Sequence, residues 1–228
     1  TACAPTPATG PSSGQTAGAK KFIVGFTVSQ TGKLAVESMR QANGLQLWMK
    51  QVNDKGGTKL SDGTTVTFEA KFYDDESNKD RVPELYTKLI NEDKADILIS
   101  PYSSGLADAA APISEQYGKI MITAGAASDS TYQKGYKLVF QMYTPGSQYL
   151  TGAINMLISI DPLAGKIAIV HEKDTFSTGV CAALKAYAER SGYETVLFES
   201  YESGTTDFAP VIDRIIAAKP AVIMGGGH

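Results

Sequence analysis

The chain has 228 residues, 43% of them hydrophobic and 20% charged, with a formal net charge of −3. That length accommodates one large or two small hydrophobic cores without staples, and the composition is that of an ordinary globular protein. The slight acidity and the lack of any Lys/Arg run exclude a nucleic-acid surface, which needs a clustered basic stripe. No apolar run approaches the roughly 20 residues of a bilayer-spanning helix.

Apart from Cys3 and Gln15, residues 1–19 are all Thr, Ala, Pro, Ser and Gly, with no side chain bulky enough to anchor a core; this is a flexible linker. Thr1-Ala2-Cys3 resembles the end of a bacterial lipoprotein signal, where small residues precede a cysteine that is lipidated after cleavage. On that resemblance Cys3 carries a membrane anchor and the rest of the leader is a spacer. Gly10-Pro11-Ser12-Ser13-Gly14 spells a hydrolase pattern, but a nucleophile elbow needs a strand before it and a helix after it.

From Phe22 the pattern becomes regular. Residues 22–27 read as a strand and 38–52 as a helix with Met39, Ala42, Leu45, Trp48, Met49 and Val52 on one face, ended by Gly56-Gly57. Residues 66–72 alternate as a strand. Residues 81–91 form a helix with Pro83 in its first turn and Val82, Leu85, Tyr86, Leu89 and Ile90 inward.

The most informative stretch is 96–128. Ile97-Leu98-Ile99 gives way to Ser100-Pro101-Tyr102-Ser103-Ser104-Gly105, and Ile120-Met121-Ile122 to Thr123-Ala124-Gly125-Ala126-Ala127-Ser128. A short apolar run bounded by turn residues is a parallel strand covered on both faces, and the loops after such strands leave one sheet edge, where ligands bind. Ser104 opens a helical segment over 106–117, so its hydroxyl and the first free amides of that helix form an anion cradle.

Residues 138–142 add a strand, and Tyr143-Thr144-Pro145-Gly146-Ser147 breaks the rhythm. A second series follows: helix 149–160, strand 166–170, helix 176–190, strand 195–199, a helix capped by Thr206-Asp207 with Phe208, Val211, Ile212, Ile215 and Ile216 inward, and strand 221–224. Alternation of this kind predicts α/β architecture with mostly parallel sheets flanked by helices. The expected domains are a linker (1–19), a first α/β lobe (20–144) and a second (145–228), with a hinge near 143–147.

The chemistry of an enzyme is not apparent. There is neither G-x-G-x-x-G after a strand nor a phosphate loop, and no nucleophile has a base and an orienting group at identifiable positions. His171 ends a strand and reads as a hydrogen-bonded loop residue. Asp74-Asp75-Glu76 lacks the spacing of a calcium loop and reads as a solvated rim or structural turn. Cys181, on the helical period of Val180, Leu184 and Ala188, reads as a small core hydrophobe. No metal site and no cofactor are expected.

Taken together, Gly25 with Ser29-Gln30-Thr31-Gly32, Val52-Asn53-Asp54-Lys55-Gly56-Gly57, Tyr73-Asp74-Asp75, Pro101-Tyr102-Ser103-Ser104, Ala111-Pro112, Ile169-Val170-His171 and Gly204-Thr205-Thr206-Asp207-Phe208 resemble the periplasmic-type solute-binding proteins of branched-chain amino acid and amide uptake systems (type I). The resemblance implies two Rossmann-like lobes that close on a ligand by hinge motion. It implies an extracytoplasmic, periplasmic or cell-surface monomer that captures an amino acid or related small carboxylate and delivers it to an ABC permease. It implies no nucleic-acid partner, and contact with the membrane through the lipid anchor alone. A ligand-sensing receptor module of the same fold is the alternative.

By position, Ser104 would hold the ligand carboxylate with its helix N-terminus, flanked by Tyr102 and Ser103. The loop Gly125, Ala126, Ala127 and Ser128 would supply a backbone carbonyl and a hydroxyl to the ligand's polar head, and Phe176 would cover the ligand from the second lobe. The chain departs from the family where Ala127 replaces a Thr, Glu37-Ser38 an aromatic-Gly pair and Gly227 an aromatic. Ser77 and Ser103 stand where some relatives form a disulfide. The family's second lobe continues past a strand like 221–224, so the C-terminal part of the family fold is expected to be absent from this chain.

Overall fold

A computed structural model of the chain describes residues 19–227; Cys3, which carries the anchor expectation, and His228 lie outside them. The first half builds a six-stranded sheet. Strand β1 (Ala19–Val28) is followed by helix α1 (Ala35–Asp54), β2 (Thr58–Lys59), β3 (Thr65–Asp74), α2 (Val82–Asn91) and β4 (Ile97–Ile99). Next come α3 (Ser104–Gln116), β5 (Met121–Thr123), a single turn α4 (Asp129–Tyr132) and β6 (Val139–Gln141).

The strand order is β2-β3-β1-β4-β5-β6, and every pairing is parallel except the short β2–β3 ribbon. Parallel strands buried on both faces are made of apolar runs. On one face Val24, Phe26 and Val28 pack with Ala42 and Met49 of α1. On the other, Leu98 and Met121 pack with Tyr86 and Leu89 of α2 and with Leu106 and Ala110 of α3. Asn53 ties α1 to the sheet, accepting the Phe68 amide and donating to the Phe68 carbonyl, both at 2.8 Å.

A 3-10 turn at Gly146–Gln148 leads into the second half: α5 (Thr151–Ile160), β7 (Lys166–Glu172), α6 (Thr175–Arg190), β8 (Glu194–Tyr201), α7 (Ala209–Ala218) and β9 (Val222–Gly226). These strands form a separate parallel sheet in the order β8-β7-β9. Its core joins Ile154 and Leu157 of α5 to Ile167, Ile169, Cys181 and Leu184. Cys181 is fully buried there, as its helical period predicts.

Several local expectations need correction. Helix α1 starts three residues before Ser38, and its buried stripe is narrower than predicted. Met39 and Trp48 are exposed, Trp48 lying against the Phe68 ring at 4.9 Å. On α7 only Val211 is buried, whereas Phe208, Ile212 and Ile216 are exposed, because the helix packs on the edge strand β8. Asp207 accepts the Ala209 amide at 3.0 Å, but Phe208 holds the cap position.

The acidic cluster after β3 is no solvated rim at its centre. Asp75 is 0% exposed, and its carboxylate accepts hydrogen bonds from Thr27 Oγ1 (2.7 Å), Ser29 Oγ (2.5 Å) and the Ser77 amide (3.0 Å). Burial of a carboxylate is tolerated when its lone pairs are filled in this way. His171 lies within β7 rather than in a loop. It is buried, with Nδ1 2.8 Å from the Glu172 carbonyl and its ring against Phe198.

Candidate functional site

In each sheet the chain first steps to one side of the starting strand and then crosses to the other. The first sheet reverses between β1 and β4, the second between β7 and β9. Loops leaving neighbouring strands at such a point splay apart and open a crevice beyond the carboxyl ends. The two crevices face each other. Between them lies a cleft of about 990 Å³, a volume suited to a small molecule.

The first lobe contributes Lys33 and Leu34 after β1, Ser103, Gly105 and Leu106 at the start of α3, and Ser128, Asp129 and Ser130 after β5. The second contributes Lys173, Asp174, Thr175, Thr178 and Gly179 at the start of α6. Two helix N-termini thus meet at the cleft, each with amides that have no partner within the helix.

Ser103, in extended conformation, is the cap residue of α3, and Ser104 is its first helical residue; the helix starts at Ser104, two residues earlier than the sequence reading placed it. Ser104 is buried, and its hydroxyl accepts the Ser128 amide at 3.1 Å. A serine hydroxyl that accepts one bond keeps a proton to donate. Ser128 Oγ lies 2.9 Å from Ser130 Oγ and donates across to the Thr175 carbonyl at 3.5 Å. The lobes approach closely because Gly179 faces this hydroxyl: a Cβ there would stand 3.3 Å from Ser128 Oγ.

The acids of the cleft serve the framework. Asp129 takes the Ser147 amide at 2.9 Å and the Ser147 hydroxyl at 2.8 Å, fixing the segment that joins the lobes. Asp174 caps α6 by accepting the Ser177 amide at 2.9 Å. Ala126 and Ala127 lie buried behind the loop, their carbonyls accepting from Tyr132 Oη at 2.7 Å and from the Gly146 amide at 2.6 Å.

Glu37, Tyr102 and Gly125 line a second, smaller cavity of about 520 Å³ with Gln41 and Tyr143. Gln41 donates to the Ser100 carbonyl at 2.8 Å, and its Oε1 is buried without a hydrogen-bond partner. A Cβ at position 125 would collide with that oxygen and stand 2.7 Å from the Tyr102 ring, so any side chain there would have to displace Gln41 and Tyr102.

Phe176 packs edge-on against Tyr149, ring centres 5.6 Å apart, and Tyr149 approaches Tyr143 at 6.5 Å. Burial, reinforced by the neighbouring phenols of Tyr143 and Tyr102, pushes the Tyr149 hydroxyl up to about 12. The Tyr102 phenol is also raised, by burial first and then by the Glu37 carboxylate. At position 227 a Cβ would lie 3.0 Å from Tyr201 Oη, so the Tyr201 hydroxyl borders the space expected for an aromatic there.

The structure therefore gathers Ser103 and Ser128 at the cleft with Ser104 directly behind, sets Phe176 in an aromatic group beside it, and places Glu37, Tyr102 and Gly125 around the smaller cavity. Sequence reasoning missed three cleft-lining lysines, Lys33, Lys79 (in the loop after β3) and Lys173. Their only signal was position, in loops that follow predicted strands. Among the described residues no three His, Cys, Asp or Glu side chains converge as a metal site, and no helix is long and apolar enough to cross a membrane.

Two largely parallel sheets that oppose their switch points across a hydroxyl-lined cleft define a two-lobed α/β architecture. The chain belongs to the periplasmic binding protein family, whose family model matches residues 22–227. It is 26% identical over 199 residues to a Leucine-, isoleucine-, valine-, threonine-, and alanine-binding protein of Pseudomonas aeruginosa, covering 87% of this chain and 51% of that protein.

Among solved structures, a solute binding protein of an ABC transporter from Rhodopseudomonas palustris, in complex with p-hydroxybenzoic acid, superposes with TM-score 0.78 at 23% identity. That match covers 91% of this chain and 54% of the other. The branched-chain amino acid transporter substrate binding protein of Streptococcus pneumoniae, in complex with isoleucine, gives TM-score 0.73 at 22% identity, covering 90% and 57%. The chain spans about half the length of the curated relatives it matches.

Proposed function

We propose that this chain is the ligand-gripping part of an extracytoplasmic solute-binding protein that captures a small carboxylate, an amino acid or an aromatic acid, for an ABC permease. The observation that carries the reading is the cleft of about 990 Å³ between two switch points, where the N-termini of α3 and α6 and the hydroxyls of Ser103, Ser128 and Thr175 converge. The Ser103 and Thr175 hydroxyls and the unpaired helix amides are donors, and a carboxylate is the acceptor they suit.

In this reading Ser104 gives its remaining proton to the carboxylate, Ser128 offers the polar contact that Ala127 lacks, and Phe176 covers the ligand with Tyr102 from the facing side. Gly125, Ala126 and Ala127 shape the loop, and Glu37 borders the smaller cavity. Cys3 carries a lipid anchor, and the protein acts as a monomer without catalysing a reaction. The relatives are named for branched-chain amino acids, and a neighbour of the same fold is bound to p-hydroxybenzoic acid.

The test is a thermal-shift screen with amino acids, amides and small aliphatic and aromatic acids, followed by calorimetry on each hit. A carboxylate that raises the melting temperature and is recovered chemically unchanged is the expected outcome. Stabilisation by amines or sugars with none by carboxylates would overturn the reading.

A further inference from the structure

Lys33 crosses between the lobes. Its ammonium donates to Glu172 Oε1 at 3.1 Å and to Ser203 Oγ at 2.7 Å. Lys33 follows β1 in the first lobe, whereas Glu172 ends β7 and Ser203 follows β8 in the second. The Lys33 side chain is half exposed, but the Glu172 side chain is only 9% exposed. A carboxylate so deeply placed depends on charged donors far more than a surface one does.

The loop that carries Lys33 is held on its own side. Ser29 Oγ donates to the buried Asp75 carboxylate, the Gln30 amide to Asp74 at 2.9 Å, and Ser77 Oγ to the Thr31 carbonyl at 2.8 Å, while the Leu34 amide donates to Ser77 Oγ at 3.2 Å. A restrained loop gives the lysine little freedom to follow the second lobe if that lobe swings away. Another polar crossing, Ser128 to Thr175, lies one residue from the point where Ala127 accepts the Gly146 amide in the connecting segment. A tie so close to the connection resists opening weakly.

We infer that Lys33 is a positioning residue that latches the two lobes together through Glu172 and Ser203, and thereby sets the affinity of the cleft without being its principal ligand group. The inference rests on the proposed reading of the cleft as a closing solute site. A ligand that needs the closed arrangement binds more weakly in proportion to the fraction of molecules that are open. A latch that holds the closed state beforehand removes that penalty.

The experiment measures the distance between the lobes in the ligand-free chain, by pulsed electron paramagnetic resonance between labels at Gln51→Cys and Arg190→Cys in a Cys3→Ser background. The unsubstituted latch is expected to give one narrow distribution, and Lys33→Met a second, shifted population. Loss of charged hydrogen bonds of this kind corresponds to roughly a tenfold fall in the closed-to-open ratio. Glu172→Gln should move the distribution in the same direction, Lys33→Arg should restore it, and the Lys33→Met/Glu172→Gln pair should add little to either single change.

Identical distributions for the parent and for a Lys33→Met variant that keeps its circular dichroism spectrum would overturn the latch. Because the decisive measurement uses no ligand, a failed solute screen would count against the proposed function and leave this result standing.

Discussion

The Ser104 hydroxyl accepts the Ser128 amide at 3.1 Å, with both residues buried. The loop after β4 and the loop after β5 are therefore one unit, closed by a side chain that also stands at the start of α3.

Ser104→Ala removes the acceptor and leaves the Ser128 amide buried and unpaired, which costs about 1–3 kcal/mol. The expected result is a lower urea midpoint together with at least a tenfold weaker binding of whichever carboxylate the screen finds. Unchanged affinity by calorimetry would remove Ser104 from the binding site.

Asp75→Asn keeps the shape of a fully buried side chain but weakens the bonds from Thr27, Ser29 and Ser77 and turns one acceptor into a donor. Hydrogen bonds to a charged group are worth roughly 1.5–3 kcal/mol each, so the variant should lose at least about 2 kcal/mol in equilibrium denaturation. The loop bearing Lys33 should become more accessible to proteolysis in the same variant, since Ser29 anchors it there.

Burial pushes the Cys181 thiol up to about 11. The thiolate is the reactive form, so at pH 8 the folded Cys3→Ser chain should resist a thiol reagent and take up one equivalent only after unfolding. Rapid labelling of the native protein would show that α6 opens locally.

The Tyr149 hydroxyl titrates near 12 when folded and near 10 when unfolded, so between those values the unfolded chain has lost a proton that the folded chain retains. Stability falls as pH rises through that window. Tyr149→Phe should flatten the decline above pH 10 while changing the melting temperature at pH 7 very little.

Much of the architecture is legible in the residues themselves. Runs such as Ile97-Leu98-Ile99 and the spacing of Val82, Tyr86 and Leu89 state their own periodicity, and the structure places them in β4 and α2 as that periodicity requires. Elements without an apolar signature escape notice: β2 is the polar pair Thr58–Lys59, and α4 is a single turn.

Periodicity also overstates burial where the facing surface is narrow, as for Trp48 on α1 and Ile216 on α7. The site was half visible. Ser103, Ser104 and Ser128 belong to loops whose composition marks them. Lys33 carries no mark beyond its place after a strand, because its partner Glu172 is 139 residues away in sequence. The Asp74-Asp75-Glu76 cluster forms the structural turn its composition allows, but the burial of Asp75 leaves no local mark, since two of its donors, Thr27 and Ser29, lie at the end of β1 and just beyond it.

Trp48 is the chain's one tryptophan, and it sits on the outer side of α1 against Phe68, whereas Tyr102 and Tyr143 line the smaller cavity and Tyr149 packs between Tyr143 and Phe176, beside the cleft. Indole emission will follow the loosening of α1 from β3 and stay silent when a solute enters between the lobes. Any optical assay of occupancy must therefore be built on tyrosine signals or on a chromophore placed near Tyr149.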